Sequence, residues 1–214
     1  MRRLILRIAM GLGILGVFLS PAAWADFIQI ASPNAAYLSG TTHLNVVQPD
    51  FSVVPSLSDA SQTATFNAGL VALTVPTTWS TWGSPPNTES ATPRVLWTNG
   101  LTSFAIDLTS AAMTFGLEAE PAALGVFNVT ASFFSSGSLV GSITRSPDGN
   151  AGALLFAATT NTSPFNRVVL SSSTDFAVAN LRYTTAAIPE PSTVTLWLIG
   201  GGLLVLLRSR RSLR

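Results

Sequence analysis

The 214-residue sequence contains no cysteine, no lysine and a single histidine. The absence of cysteine excludes disulfide bridges, thiolate nucleophiles and cysteine-ligated zinc. The single histidine, His43, has neither a zinc motif nor a nucleophile elbow around it, so we expect an ordinary histidine in a surface loop. The sequence therefore predicts a non-enzymatic domain without catalytic residues, whose stability comes from the packing of a sheet.

Charged residues are also scarce, at 10% of the sequence, and they are unevenly distributed. Seven of the 11 arginines lie close to the two ends of the chain. Residues 26–188 keep four arginines against nine acidic residues, a net charge of −5. A domain with this balance lacks the basic surface that binds phosphate backbones, which excludes nucleic acid as a partner.

The N-terminus has the three parts of a signal peptide. Arg2, Arg3 and Arg7 precede an apolar stretch, which is followed by Ala23-Trp24-Ala25. A basic region, an apolar region and an A-x-A cleavage site in this order are typical of secreted proteins. We expect signal peptidase to remove residues 1–25, so that Ala23 and Ala25 mark the cleavage site.

The C-terminus places a short apolar run between a proline-rich hinge and a basic cluster. The run, Val194–Leu207, contains 14 residues. As a helix it would be about 21 Å long, whereas a bilayer core is about 30 Å thick. An ordinary tail anchor is one interpretation, and a processing signal is the other, which the short length favours. The basic cluster would stay in the cytoplasm and comprises Arg208, Arg210, Arg211 and Arg214.

This C-terminal segment, residues 189–214, resembles the PEP-CTERM sorting signal. The resemblance rests on Pro189, Glu190 and Pro191, on the short apolar helix and on the terminal arginines. It implies recognition by exosortase, a membrane protease-transpeptidase of Gram-negative bacteria that make extracellular polysaccharide. It also implies an exported protein that passes through the inner membrane as an intermediate and then reaches the cell surface or the extracellular space.

Between the two signals, apolar residues recur with a period of two, which is typical of strands with one buried face. Short strands separated by turn residues predict an all-β fold, a single jelly-roll-like antiparallel β-sandwich over residues 26–183, with residues 184–188 as a linker. Thr77–Ser90 reads as a long surface loop. The predicted strands are Phe27–Ile30, Leu44–Val47, Phe51–Val54, Leu70–Val75, Ser103–Thr109, Met113–Glu118, Gly125–Phe134, Leu154–Ala158, Arg167–Leu170 and Asp175–Tyr183.

A second resemblance covers residues 95–183. The segments FAIDLTSAAMTFGLEAEP, FNVTASFFSSGSLVGSIT and NRVVLSSSTDFAVANLRY are similar to the extracellular domains of many PEP-CTERM proteins, which resemble jelly-roll carbohydrate-binding modules. In those relatives the closing strand often carries an aspartate before its asparagine. Here that position is Ala179, so a ligand role of that carboxylate does not carry over.

Two pairs of residues are candidates for a site. Trp79 and Trp82 lie in the predicted loop, where their rings would either stack on a sugar or plug the open end of the sandwich. Glu118 and Glu120 are two residues apart and share one face of a strand. They form either a solvated strand end or a weak site for Ca²⁺. Paired carboxylates also serve glycoside hydrolysis, but the chain is too short for a deep cleft.

These observations favour a structural or adhesive protein of the envelope, or of an exopolysaccharide matrix or biofilm. The expected partners are signal peptidase, exosortase, the inner membrane in transit and extracellular polysaccharide. A carbohydrate-binding module with a sugar site around Trp79 and Trp82 is the alternative, and a hydrolase is a more distant one. We expect no cofactor, and Ca²⁺ is the one ion that the two carboxylates would suit.

Overall fold

The computed structural model describes residues 27–185, which form eleven strands and one short helix. The predicted signal peptide and the PEP-CTERM segment, with its apolar helix, lie outside the described residues. Within residues 27–185, no helix is both long and apolar enough to cross a bilayer. The elements are β1 (Ile28–Ile30), α1 (Ala35–Gly40), β2 (Thr42–Leu44), β3 (Val53–Ser58), β4 (Thr63–Thr74), β5 (Arg94–Trp97), β6 (Ser103–Pro121), β7 (Val129–Ser135), β8 (Ser138–Arg145), β9 (Leu154–Thr159), β10 (Phe165–Ser172) and β11 (Phe176–Thr185).

The long strand β6 joins two layers of antiparallel strands. Its first half pairs with β4 and β10, and β3, β7 and β8 extend this first layer. Its second half pairs with β9 and β11, and β1 and β2 extend this second layer, whereas β5 pairs with both β11 and β4. The prediction of a single antiparallel β-sandwich is therefore confirmed.

The sequence predicted two strands where the structure has β6 alone. The residues between the two predicted strands, Ser110–Ala112, include no Gly, Pro, Asn or Asp to turn the chain. β10 and β11 therefore both pair with Ala112, and the register shifts on each side of β6 at this place.

The main core lies between the layers and is filled by aromatic and branched side chains. Phe104 and Phe176 pack with ring centroids 5.8 Å apart, and Phe133 and Phe165 with centroids 5.1 Å apart. Such rings supply a large share of the buried apolar surface of a small domain. The predicted inward positions of the first half of β6 are buried, as alternation requires. Six phenylalanines are fully buried: Phe104, Phe115, Phe133, Phe156, Phe165 and Phe176.

The opposite face of the second layer is also buried, which the sequence did not predict. Alternation assigned Gly116 and Glu118 to the solvent side, yet both are buried. Helix α1 covers part of this face, because Tyr37 packs on Leu155 and Ala157. Residues 75–93, named here the covering loop, cover the rest. The cluster between this loop and the sheet includes Val75 and Trp82 of the loop itself, together with Leu73, Val95, Ala153, Ala177 and Ala179.

The predicted hairpin turn at Ser135-Ser136-Gly137 is confirmed. Ser136 and Gly137 adopt positive φ angles of 49° and 84° between β7 and β8. Two residues with positive φ form the tight turn whose twist matches that of paired strands.

Several predicted boundaries differ from the structure. The ends of β2 and β3 differ from the predicted ends by three and four residues, β4 starts seven residues earlier than predicted, and α1 was not among the predicted elements. Helix α1 begins after Asn34, whose side-chain oxygen accepts a hydrogen bond from the backbone N–H of Tyr37 at 3.0 Å. The predicted linker starts too early, because Thr184 and Thr185 still pair with β6. Both are β-branched residues that suit a strand, and residues 186–188 lie outside the described range.

The covered face predicts that Gly116→Ala destabilises the domain. A methyl group at this position would meet the Tyr37 hydroxyl and the Ala157 side chain at distances that real Cβ atoms do not show. We expect a loss of about 1–3 kcal/mol in the free energy of unfolding, measured by urea denaturation. Gly40→Ala is the control, because nothing lies within 4 Å of its added methyl group. Equal stability of the two variants would contradict the packing described here.

Candidate functional site

Each of the three tryptophans in residues 27–185 donates its indole N–H to a carboxylate. Trp79 donates to Glu120 at 2.8 Å, and Trp82 donates to Glu118 at 3.1 Å. Trp97 of β5 donates to Asp175 at 2.8 Å. The first two bonds join the covering loop to the second half of β6, so they fix the loop on the sheet.

Small residues of β11 make room for the loop. Ala179 lies opposite Glu118 in the pairing of β11 with β6, and Ala177 lies opposite Glu120. Both alanines are fully buried in the cluster that contains Trp82. Ala179 is thus a packing residue in this chain.

Glu118 is a buried carboxylate that is surrounded by N–H donors. Its side chain is 1% exposed and accepts hydrogen bonds from the Trp82 indole, the Glu89 backbone at 2.5 Å and the Asn180 amide at 2.8 Å. Burial raises the pKa of Glu118 to about 7, because desolvation outweighs the stabilisation of the charge by these three donors.

Glu120 has a similar environment next to Glu118 on the same face of β6. It is fully buried, and besides Trp79 it accepts from the Thr81 hydroxyl at 3.4 Å. Burial raises the pKa of Glu120 as well, against hydrogen bonds that lower it. The prediction of a solvated strand end is wrong for both glutamates, because the covering loop excludes water from them.

A bulge in β11 places Asn180 beside Glu118. Asn180 has a positive φ of 51°, and the register between β11 and β6 shifts between Ala179 and Arg182. Asparagine tolerates the left-handed region better than most residues. The bulge directs the amide of Asn180 to Glu118. The only signal in the sequence was a polar residue inside the apolar run of β11.

Arg182 connects the covering loop to helix α1. Its guanidinium binds both carboxylate oxygens of Glu89, at 2.5 and 2.7 Å, and also donates to the backbone oxygens of Leu38 and Thr41. The hydrogen bonds from Arg182 hold the pKa of Glu89 below its usual value. A paired arginine with four partners on two segments fixes their relative position.

A second ion pair holds the start of the covering loop. Asp50 accepts from the hydroxyls of Thr74 and Thr78 at 2.7 and 2.8 Å and forms a salt bridge of 2.9 Å with Arg94. The two threonine hydroxyl groups are the main cause of the lowered pKa of Asp50. Both ends of the loop are thus tied to strands.

The structure separates the predicted roles of the two loop tryptophans. Trp82 is 4% exposed, so the expectation of an exposed ring is wrong for this residue. Trp79 is half-buried and packs against the same cluster as Trp82. The other predicted role, in which the ring fills space, fits Trp82. Its ring covers an outer face of the second layer, however, and not the open end of the sandwich.

A shallow groove of about 180 Å³ runs beside Trp79. Leu124, which is 75% exposed, forms its other apolar contact surface. The remaining lining is rich in hydroxyl groups and comprises Thr78, Ser80, Thr81, Pro121, Ala122 and Gly149. Trp79 is thus the one predicted ligand contact that borders open space.

The remaining candidates do not converge on a catalytic or metal site. Among residues 27–185, no group of three or more His, Asp or Glu side chains is placed to hold a metal ion. The oxygens of Glu118 and Glu120 accept from N–H and O–H donors instead of lying among further oxygen ligands. His43 lies on β2, not in a loop, opposite Arg182, and burial lowers its pKa.

Residues 187–211 match the PEP-CTERM protein-sorting motif. The predicted sorting signal is therefore confirmed, and it includes Pro189, Glu190, Pro191, Arg208, Arg210 and Arg211. The chain carries the signal of an exported protein. The match begins two residues after the end of β11. No curated protein sequence matches this chain.

Three solved structures show what the fold is similar to. The enzymatically active domain of tailspike protein 4 of bacteriophage CBA120 is 16% identical over 59% of this chain, with a TM-score of 0.30, and this chain spans only 20% of its length. The module TmCBM61, solved with β-1,4-galactotriose, is 10% identical over 65% of this chain and all of the module, with a TM-score of 0.34. A family 11 carbohydrate-binding module from Clostridium thermocellum is 9% identical over 69% of this chain and 95% of the module, with a TM-score of 0.31. At these TM-scores, the similarity does not identify a ligand for this chain.

The raised pKa of Glu118 predicts a pH dependence of stability. The unfolded chain loses this proton near pH 4.5, whereas the folded domain keeps it until about pH 7. The free energy of unfolding should therefore fall as the pH rises from about 4.5 to 7, by up to about 3 kcal/mol. Glu118→Gln removes this contribution, so the stability difference between the parent and the variant should change between pH 5 and pH 8 in urea denaturation.

Asp107→Asn is the control for this pH series, because Asp107 is a half-exposed carboxylate in a surface ion pair with Arg167 at 3.6 Å. The lowered pKa values of Asp50 and Asp59, which have no contact with Glu118, affect the stability of both proteins alike and cancel in the comparison. A stability difference between the parent and Glu118→Gln that is the same at both pH values would contradict the assignment.

Proposed function

We propose that this chain is an exosortase substrate whose β-sandwich has a structural or adhesive role at the cell surface, or in an exopolysaccharide matrix or biofilm, of a Gram-negative bacterium. The observation that carries the proposal is the sorting motif at residues 187–211. The motif starts just after β11 ends at Thr185. Cleavage near Pro189-Glu190-Pro191 would therefore release the signal without cutting a strand of the described fold.

A non-catalytic role fits the arrangement of the polar residues. The two buried glutamates hold the covering loop in place, and the guanidinium of Arg182 is occupied by Glu89 and by backbone oxygens. We therefore propose that the domain is not an enzyme. Turnover of a glycoside or an ester that is lost on Glu118→Gln or His43→Ala would contradict this part of the proposal.

Processing at both ends predicts the intact mass of the exported protein. The mature chain should begin at Asp26 and end near Pro189–Pro191, as measured by mass spectrometry of protein recovered from the native host. Glu190→Ala should leave the C-terminal segment attached and change the location of the protein. Asp107→Ala, which alters an exposed carboxylate of the domain, is the matched control. Normal processing of the Glu190→Ala protein would refute the sorting proposal.

A carbohydrate-binding module is the second candidate, and the groove beside Trp79 is the observation that favours it. A half-buried indole and an exposed leucine offer apolar surface for a sugar ring, and the neighbouring hydroxyl groups offer hydrogen bonds. Because Trp79 also holds Glu120, its own substitution would disturb the loop. Leu124 has no such role and gives the cleaner test.

If sugars bind in this groove, Leu124→Asp should weaken the retention of the protein on immobilised polysaccharide by about tenfold or more, since a charge would replace the apolar contact. Leu139→Asp is the matched control, because Leu139 is a similarly exposed leucine, 59% exposed, on β8. Equal retention of the two variants would exclude the Trp79 groove as the sugar site.

A further inference from the structure

We infer a binding site for neutral polysaccharide in a second groove, on the solvent face of the first layer. This site, named here the serine groove, lies where β7 begins and β10 ends and has a volume of about 470 Å³. The inference deepens the proposed role in an exopolysaccharide matrix and rests on it. The lining comprises Val126, Phe127, Asn128, Thr130 and Ser171–Ser173.

The strand register extends the groove into a flat face of hydroxyl groups. Ser171 of β10 lies opposite Thr130 of β7, and Thr130 lies opposite Thr144 of β8. The Thr130 and Thr144 hydroxyls are 2.8 Å apart, and in the next outward pair the Ser132 and Ser142 hydroxyls are 3.0 Å apart. These cross-strand pairs hold the hydroxyl groups in fixed positions on one side of the sheet.

Several polar groups of the serine groove are available to a ligand. Ser171 and Ser173 are exposed, and their hydroxyls make no hydrogen bond within residues 27–185. The side-chain oxygen of Asn128 accepts from the Ser146 hydroxyl at 2.8 Å, which leaves the Asn128 amide N–H groups to donate. Serine, threonine and asparagine together supply donors and acceptors, as the hydroxyl groups of a sugar require.

The charge and shape of the groove favour a neutral polysaccharide. No charged side chain lines the groove, and the Arg167 guanidinium on the same face of β10 is paired with Asp107. A polyanion would need unpaired cations. The ring of Phe127, which is half-buried, offers apolar surface to the C–H face of a sugar. A peptide that binds as an added strand would need an open sheet edge rather than this face.

The test uses affinity electrophoresis of the full-length chain in a zwitterionic detergent without a sugar headgroup. The native gels contain a neutral β-glucan, a mannan or a galactan, with alginate as the anionic comparison. We expect retardation by at least one neutral polysaccharide and none by alginate. Ser171→Trp fills the groove from an exposed position and should weaken the retardation by about tenfold or more. Asn128→Ala, which adds no bulk, should weaken it by several-fold.

The matched control is Ser138→Trp, which places the same ring at the opposite end of β7 and β8, at their hairpin turn. Retardation that Ser138→Trp preserves and Ser171→Trp removes would support the serine groove. Retardation by alginate alone, no retardation by any neutral polysaccharide, or unchanged retardation of Ser171→Trp would each overturn it. Loss on Leu124→Asp but not on Ser171→Trp would assign the ligand to the Trp79 groove and overturn the inference as well.

Failure of this inference and failure of the sorting proposal are distinguishable. The electrophoresis uses unprocessed protein and does not require export, whereas the intact mass reports processing and does not depend on a ligand. Normal processing without retardation would overturn the serine groove alone.

Discussion

The fold depends on the burial of two carboxylates beneath a loop that supplies their hydrogen-bond donors. Without the indole N–H groups of Trp79 and Trp82, Glu118 and Glu120 would lose donors that stabilise their buried charge, which is costly in a protein interior. Without Glu118, the buried indole of Trp82 would lose the acceptor of its N–H group. The covering loop and the second half of β6 therefore each supply hydrogen-bond partners that the other needs. Because the loop stays on the sheet, both faces of the second layer are buried.

The polar groups of the domain have two different roles, which depend on the layer that they cover. Over the second layer, Arg182, Glu89 and the loop tryptophans use their polar groups to hold segments together. Over the outer part of the first layer, Thr130 and Ser132 alternate with fully buried residues and face solvent. The hydroxyl groups of β7 are thus separate from the polar contacts that hold the covering loop, which allows the hydroxyl-rich face to vary without loosening the loop.

Much of this architecture could be predicted from local sequence signals, because strands with one buried face alternate regularly. Phe104, Ile106 and Leu108 identified the inner face of β6, and Ser136-Gly137 identified a hairpin turn. The covered face could not be found in this way. A glutamate has the same polarity under a loop as in water, and the donors to Glu118 lie 29, 36 and 62 residues away in the sequence. Only the tertiary fold brings these residues together.

The position of β11 determines how the domain responds to tension from its C-terminal side. β11 leads toward the sorting motif, and it is paired with β6 along one edge and with β5 and β2 along the other. A pull transmitted through the C-terminal segment therefore acts on an interior strand, and extracting that strand would load two ladders of backbone hydrogen bonds together. A strand at the border of a sheet would load a single ladder.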